Sequence, residues 1–251
     1  MKKKNDLAVK LTEVSKIYQL HHEKPTLMEN IFGRNNNEKF VALDCINLEI
    51  IKGDKLGIIG SNGSGKTTLL KIISGIATPN KGKVQTWGKL VSLIDLNAGF
   101  HPELTGIENV YQNAMLLGMS RRETKSSMGE IISFADIGGF IDAPMYSYSA
   151  GMQLRLGFAV ALAAKPEILV LDESVMVGDQ NFRRKVKKKI VSFYKSGITV
   201  IMVSHWLGYL KENCRHILWL ENGKVVGRGG FELLDKYERL KEKKDIHVEK
   251  G

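Results

Sequence analysis

Only two cysteines, Cys45 and Cys214, occur in 251 residues. That is too few for a disulfide framework, so both read as inert buried thiols in a reducing cytoplasm. No uninterrupted apolar run approaches the ~20 residues that a spanning helix needs. The start MKKKNDLAVKLTEV is basic, but Lys10 and Glu13 break any apolar signal core. The expectation is a chain that neither crosses a membrane nor is exported. Internal repeats and low-complexity segments are missing as well. What remains, 43% hydrophobic and 25% charged, is ordinary globular composition, enough for one large domain or a domain plus a lobe.

Acids are in deficit, 27 against 37 lysines and arginines, and the net charge of +10 asks for an anionic partner. The excess sits at Lys2 to Lys4, in RRKVKKK at 183–189 and in the tail YERLKEKKD. These runs have no interleaved aromatics on a plausible base-stacking face, so nucleic acid is not the expected partner. A solvated helix face or attraction to anionic headgroups accounts for them.

Along the chain, LAVKLTEV alternates as a strand exposed on one face does, and VALDCINLEI is a second strand after a polar interruption from Leu20 to Lys39. KLGIIG is a short buried strand that runs into SNGSGKTTLLKIISG, a glycine loop and then a helix ended by Gly75. From about Thr105 to Lys165 helices take over. Thr105 with Glu108, and Ser120 with Glu123, have the spacing of capping boxes. The alternating pattern resumes with EILVLDE, a basic helix ending near Gly197, ITVIMVSH, a short helix, and a hairpin turning at Asn222-Gly223. A last helix puts Phe231, Leu234, Tyr237 and Leu240 on one side.

GSNGSGKT, Gly60 to Thr67, fits the phosphate-loop pattern G-x-x-x-x-G-K-[ST] in the required strand-to-helix context. Gly60, Ser61, Asn62, Gly63, Ser64 and Gly65 would wrap backbone N–H groups around a phosphate chain, with Thr68 in the same helix start. Lys66 would reach the β- and γ-phosphates, and the Thr67 hydroxyl would ligate Mg²⁺. ILVLDE would deliver Asp172 to the metal and Glu173 to a water attacking the γ-phosphate. His205, at the end of VIMVSH, would hydrogen-bond the γ-phosphate or that water. Ser149-Ala150-Gly151 opens another helix, and the Ser149 hydroxyl and Gly151 backbone make a second anion cap. Because the loop already holds the phosphates from one side, a second cap must approach from the other, from another copy of the chain.

In this order of phosphate loop, helical lobe, Ser-x-Gly helix start, Asp-Glu strand and His strand, nearly the whole chain resembles the nucleotide-binding subunit of ABC transporters. The resemblance implies an α/β fold of P-loop NTPase type, a mixed sheet core with an inserted α-helical lobe. It implies a single domain over 1–251: core 1–95 and 166–230, lobe about 100–165, a short insertion 20–39, and a C-terminal helix and charged tail 231–251. It also implies a head-to-tail homodimer holding two ATP with Mg²⁺, peripheral on the cytoplasmic face of the cell membrane. Tyr18 falls where the family stacks an aromatic on adenine, and Asp179 of MVGD where it contacts the opposing subunit.

Two departures stand out. The usual Leu-Ser-Gly-Gly-Gln reads Tyr148-Ser149-Ala150-Gly151-Met152 here, and SLIDLNAGFHPELTG lacks the family's loop glutamine, leaving Asp95 or Asn97 as substitutes. AGFHPELTGIENVYQNAMLLG, YSAGM, DESVMVGDQNF and the insertion before FVAL look like the ATPases that export O-antigen, teichoic acid or related polysaccharides on a polyprenyl carrier. The resemblance implies a separate polytopic membrane channel, and, with a charged helix after the core, glycan selectivity is expected in that membrane partner or in the biosynthetic machinery. An ATPase for lipid, drug or peptide export is the alternative. In the insertion, HEKPTLMENIFGR at 22–34 reads as a short helix with Leu27, Met28, Ile31 and Phe32 on one face. Its expected dock is the membrane subunit or the headgroup region, with this chain's own sheet edge as the other possibility.

Overall fold

The computed structural model describes residues 6–20, 38–94, 96, 99–172, 179–204 and 206–248. The insertion helix at 22–34, Asp95, Asn97, Glu173 and His205 lie outside the described residues.

Two sheets share the core. In the first, strand β1 (Leu7–Leu20) runs antiparallel between β2 (Glu38–Ile51) and β4 (Lys81–Thr86). The second has the order β5-β6-β7-β3-β8-β9. It is built from β3 (Lys55–Ile59), β5 (Leu90–Ser92), β6 (Ile168–Leu171), β7 (Thr199–Val203), β8 (His216–Glu221) and β9 (Lys224–Gly229). All its pairs are parallel except β8 with β9, the hairpin closed at Asn222 and Gly223, whose φ angles of 48° and 73° suit a two-residue turn. The expected mixed sheet is therefore present, beside a separate antiparallel sheet.

Side-chain alternation divides the interior. Ile168, Val170, Ile201, Val203, Leu218 and Leu220 face one cluster together with β1, β2 and helix α1 (Lys66–Ile73). Leu169, Leu171, Val200, Met202, Ile217 and Trp219 face the other, with the lobe and the later helices. A strand buried on both faces reads as a continuous apolar run, which is why ILVL and TVIMV carry no polar alternation.

The lobe consists of α2 (Gly106–Leu116), α3 (Arg121–Ala135) and α4 (Ala150–Ala163). Both expected capping boxes form: Thr105 and Ser120 accept from the N–H groups of Glu108 and Glu123, whose carboxylates return the bond. Residues 156–163 of α4 are buried all the way round, the pattern of a central helix. Phe158 at its heart meets Phe182 edge-on at 5.7 Å, and truncating such a ring to Ala costs about 3–5 kcal/mol. Helices α5 (Gln180–Lys195), α6 (Leu207–Asn213) and α7 (Glu232–Val248) complete the second layer. On α7, Leu234 is buried and Tyr237 packs on Trp219, but Phe231 precedes the helix and Leu240 is exposed.

The expectation of two buried thiols fails for one of them. Cys214 is buried, as read from the sequence, but Cys45 is exposed. It lies where the β1–β2 register shifts between Val14 and Lys16, with φ of 52°, and the irregularity turns its side chain outward.

Candidate active site

The carboxyl ends of β3, β6 and β7 lie side by side, with Ile58 beside Val203 and Leu171 beside Met202. In open α/β sheets this is the edge where ligands bind. β3 passes straight into the loop 60–65 and α1. Two glycines fit there because nothing larger does. A Cβ on Gly60 (φ +151°) would lie 2.0 Å from the Leu220 carbonyl oxygen, and one on Gly65 (φ +100°) 2.4 Å from that of Ala42. Gly65 is the N-cap of α1 in the left-handed region, no side chain caps the helix, and no acid stands in its first turn. The N–H groups and the positive end of the dipole are thus left for an anion.

Lys66 is buried, with its ammonium donating to the carbonyls of Gly60 at 2.9 Å and Ser61 at 2.8 Å. Ser64 is buried too, and its Oγ has no hydrogen-bond partner. A cavity of about 300 Å³ opens against this loop, lined by residues 62–68 with Phe40, Asp172 and Val203. Lys66, Thr67, Thr68 and Asp172, from two distant stretches of the sequence, thus meet on one space. Gly60 and Ser61 stand behind it, on a second cavity of about 530 Å³ that reaches Trp219, Glu221 and Tyr237.

Besides Gly60 and Ser61, four sequence-derived site residues lie off the loop cavity. Tyr18 is the cross-strand partner of Phe40, carries Lys16 Nζ 5.1 Å from its ring centroid, and leaves the cavity wall to Phe40. Ser149 caps α4, accepting from Met152 N–H at 3.2 Å, and beside it Gly151 has open space where a Cβ would stand, with only Ser149 Oγ near at 3.8 Å. Tyr148, just before, is buried and donates to the Phe140 carbonyl, which seats the start of α4; burial pushes its phenol upward. Asp179 caps α5, accepting from Asn181 and Phe182 N–H at 2.9 and 3.0 Å, and pairs with Arg155. The Phe182 N–H chiefly holds its carboxyl below the usual range, with Arg155 adding to the effect.

Phe40 is a wall residue that sequence reasoning misses; its only signal is its register with Tyr18. Glu221, which binds Ser61 through both carboxylate oxygens, is another. Among the described residues, no helix is long and apolar enough to cross a membrane.

Comparison with known proteins agrees with this geometry. Residues 43–176 match the family described as ABC transporter. The chain is 38% identical over 231 residues to the O-antigen export system ATP-binding protein RfbB of Klebsiella pneumoniae, covering 89% of this chain and 94% of that one. It is also 38% identical over 236 residues to the teichoic acids export ATP-binding protein TagH of Staphylococcus haemolyticus, covering 93% and 89%. Among solved structures, the dimeric ATP-binding cassette MJ0796 in a post-hydrolysis state with ADP and Pi superposes with a TM-score of 0.68 at 25% identity, over 89% of this chain and 98% of that one. With a phosphate loop, an inserted helical lobe and these likenesses along nearly its whole length, the chain belongs to the ABC transporter family, as one of its ATP-hydrolysing subunits.

Proposed function

We propose that this subunit drives export of a lipid-linked polysaccharide, of the O-antigen or teichoic acid kind, across the cytoplasmic membrane. The observation that carries its chemistry is the meeting of Lys66, Thr67 and Asp172 on one cavity at an uncapped helix start. The cargo rests on the likeness to RfbB and TagH, both named for glycan export.

In this reading the N–H groups of the loop and the Lys66 ammonium hold the β- and γ-phosphates of ATP. Thr67 and Asp172 offer only hard oxygen ligands beside room for phosphate oxygens, which suits Mg²⁺, an ion that keeps several waters. When bound, the ion neutralises charge on the phosphate oxygens. Glu173 takes a proton from water as the water oxygen bonds to the γ-phosphorus. The bond from that phosphorus to the β–γ bridging oxygen breaks, leaving ADP and phosphate. His205 hydrogen-bonds the γ-phosphate, and Tyr18 stacks on the adenine.

Ser149 and Gly151 lie off the loop cavity of their own chain, so they close on the γ-phosphate of a second copy in a head-to-tail dimer, with Asp179 near that interface. A separate polytopic membrane subunit forms the channel, and this chain sits peripherally on its cytoplasmic side. Reconstitution with that membrane subunit tests the proposal. Polyprenyl-pyrophosphate glycan should cross only with hydrolysable ATP and intact Glu173; ATP-driven movement of a lipid, drug or peptide without glycan would contradict it.

A further inference from the structure

The phosphate loop has a back wall, the end of β8 and its turn. Gly60 fits against the Leu220 carbonyl with no room for a Cβ, and Gly223 N–H donates to the Ser64 carbonyl at 3.0 Å. Between these two fixed points stands Glu221. Its Oε2 accepts the Ser61 hydroxyl at 2.5 Å and its Oε1 the Ser61 backbone N–H at 3.3 Å. Oε1 also accepts the Trp219 indole N–H at 3.1 Å, and Trp219 meets Tyr237 of α7 edge-on, ring centroids 5.4 Å apart. Ser61 is in turn one of the two residues whose carbonyls hold the Lys66 ammonium.

A carboxylate close to a phosphate site works against the anion. Its two bonds to Ser61 give it a compensating use, because hydrogen bonds to a charged acceptor are the stronger kind. A loop with positive φ at Gly60, Gly63 and Gly65 is otherwise free to take many shapes. Without a tether, only a fraction of chains would hold the shape that takes phosphates, and apparent affinity falls by that fraction.

We infer that Glu221 is a positioning residue for ATP binding: acting through Ser61, it holds the first turn of the phosphate loop, and with it Lys66, in its binding shape. The inference rests on the reading that this loop binds ATP. Once the phosphates are seated they order the loop themselves, so the loss appears in KM rather than kcat.

The test measures the ATP Kd by calorimetry and KM and kcat by steady-state hydrolysis on the full chain. Glu221→Ala should raise Kd and KM roughly five- to twenty-fold with kcat within about two-fold. Glu221→Gln, equal in volume but with a single acceptor oxygen, should fall between. Ser61→Ala should raise KM alone, yet add less than about two-fold on top of Glu221→Ala, because the two share one contact. Unchanged KM in the Gln and Ala variants overturns the inference, as does a fall in kcat and Tm with KM constant. If Glu221→Ala does not fold, Glu221→Gln is read on the same scale. Lys66→Ala separates the two levels. Unchanged ATP affinity there sinks the loop reading and this inference together; lost affinity there with none lost on changing Glu221 sinks this inference alone.

Discussion

The guanidinium of Arg155, on the helix that Ser149 opens, grips the carboxylate of Asp179, which caps the helix after the Asp172 strand. Arg155 also donates to the Asp136 carbonyl at 3.3 Å and lies 5.6 Å over the Phe182 ring. The lobe helix α4 is thereby tied to the start of α5. Asp179 does two jobs, cap and ion pair, and substitutions separate them. Asn is as good a cap as Asp, so Asp179→Asn should melt close to the parent, whereas Asp179→Ala should melt about 2–4 °C lower. Equal melting of the two variants in calorimetry would remove the cap from the account.

Acid should weaken the fold in a traceable way. The Thr105 and Ser120 groups that bond Glu108 and Glu123 hold both carboxyls below their ordinary range, and the Phe182 N–H does so for Asp179. A carboxyl with a lowered folded pKa stabilises above its unfolded value, and that contribution is lost as pH falls through the folded one. Tm should therefore drop below pH ~4, the unfolded carboxyl range, and drop less steeply in Glu108→Gln. A steeper acid limb in that variant would contradict the assignment.

The two thiols should differ in reactivity. Burial pushes the Cys214 thiol up to about 12, whereas Cys45 is exposed. Since the thiolate is the reactive form, native protein at pH 8 should release one equivalent with a disulfide reagent and a second only on unfolding. Cys45→Ser should remove the fast equivalent; fast labelling of Cys214 in that variant would contradict the packing.

Local chemistry is what the sequence displays well. The phosphate loop, both capping boxes and the Asn222-Gly223 turn each rest on a few adjacent residues whose conformational needs are specific, and each is found where it reads. β4 and β5 do not stand out. KGKVQT is mostly polar and LVS is three residues long, so their strand character comes from partners on β1 and β6. Phe40 and Glu221 escape for the same reason. One is placed by register with Tyr18, the other by a contact to Ser61 across 160 residues. Cys45 reads as core because its strand is apolar, and only the pairing irregularity turns it out.

Glu173→Gln should keep ATP binding and nearly abolish hydrolysis, a loss of at least about 10²-fold, because the phosphate cradle is untouched while the base is gone. With ATP the variant should elute as a dimer in size-exclusion chromatography. Turnover at the parent rate would remove Glu173 from the role.

Mixing two inactive chains tests most directly the claim that each ATP site is built from two copies. Lys66→Ala spoils the loop but leaves Ser149, and Ser149→Arg spoils the second cap but leaves Lys66. Each alone should be inactive. In an equal mixture half the dimers pair one of each, and one of their two sites has both good halves, so about a quarter of all sites should be intact. Recovery of hydrolysis toward that level is the result this account predicts. A mixture as inactive as its parts, while mixed dimers are demonstrably present, or a fully active Ser149→Arg chain, would contradict it.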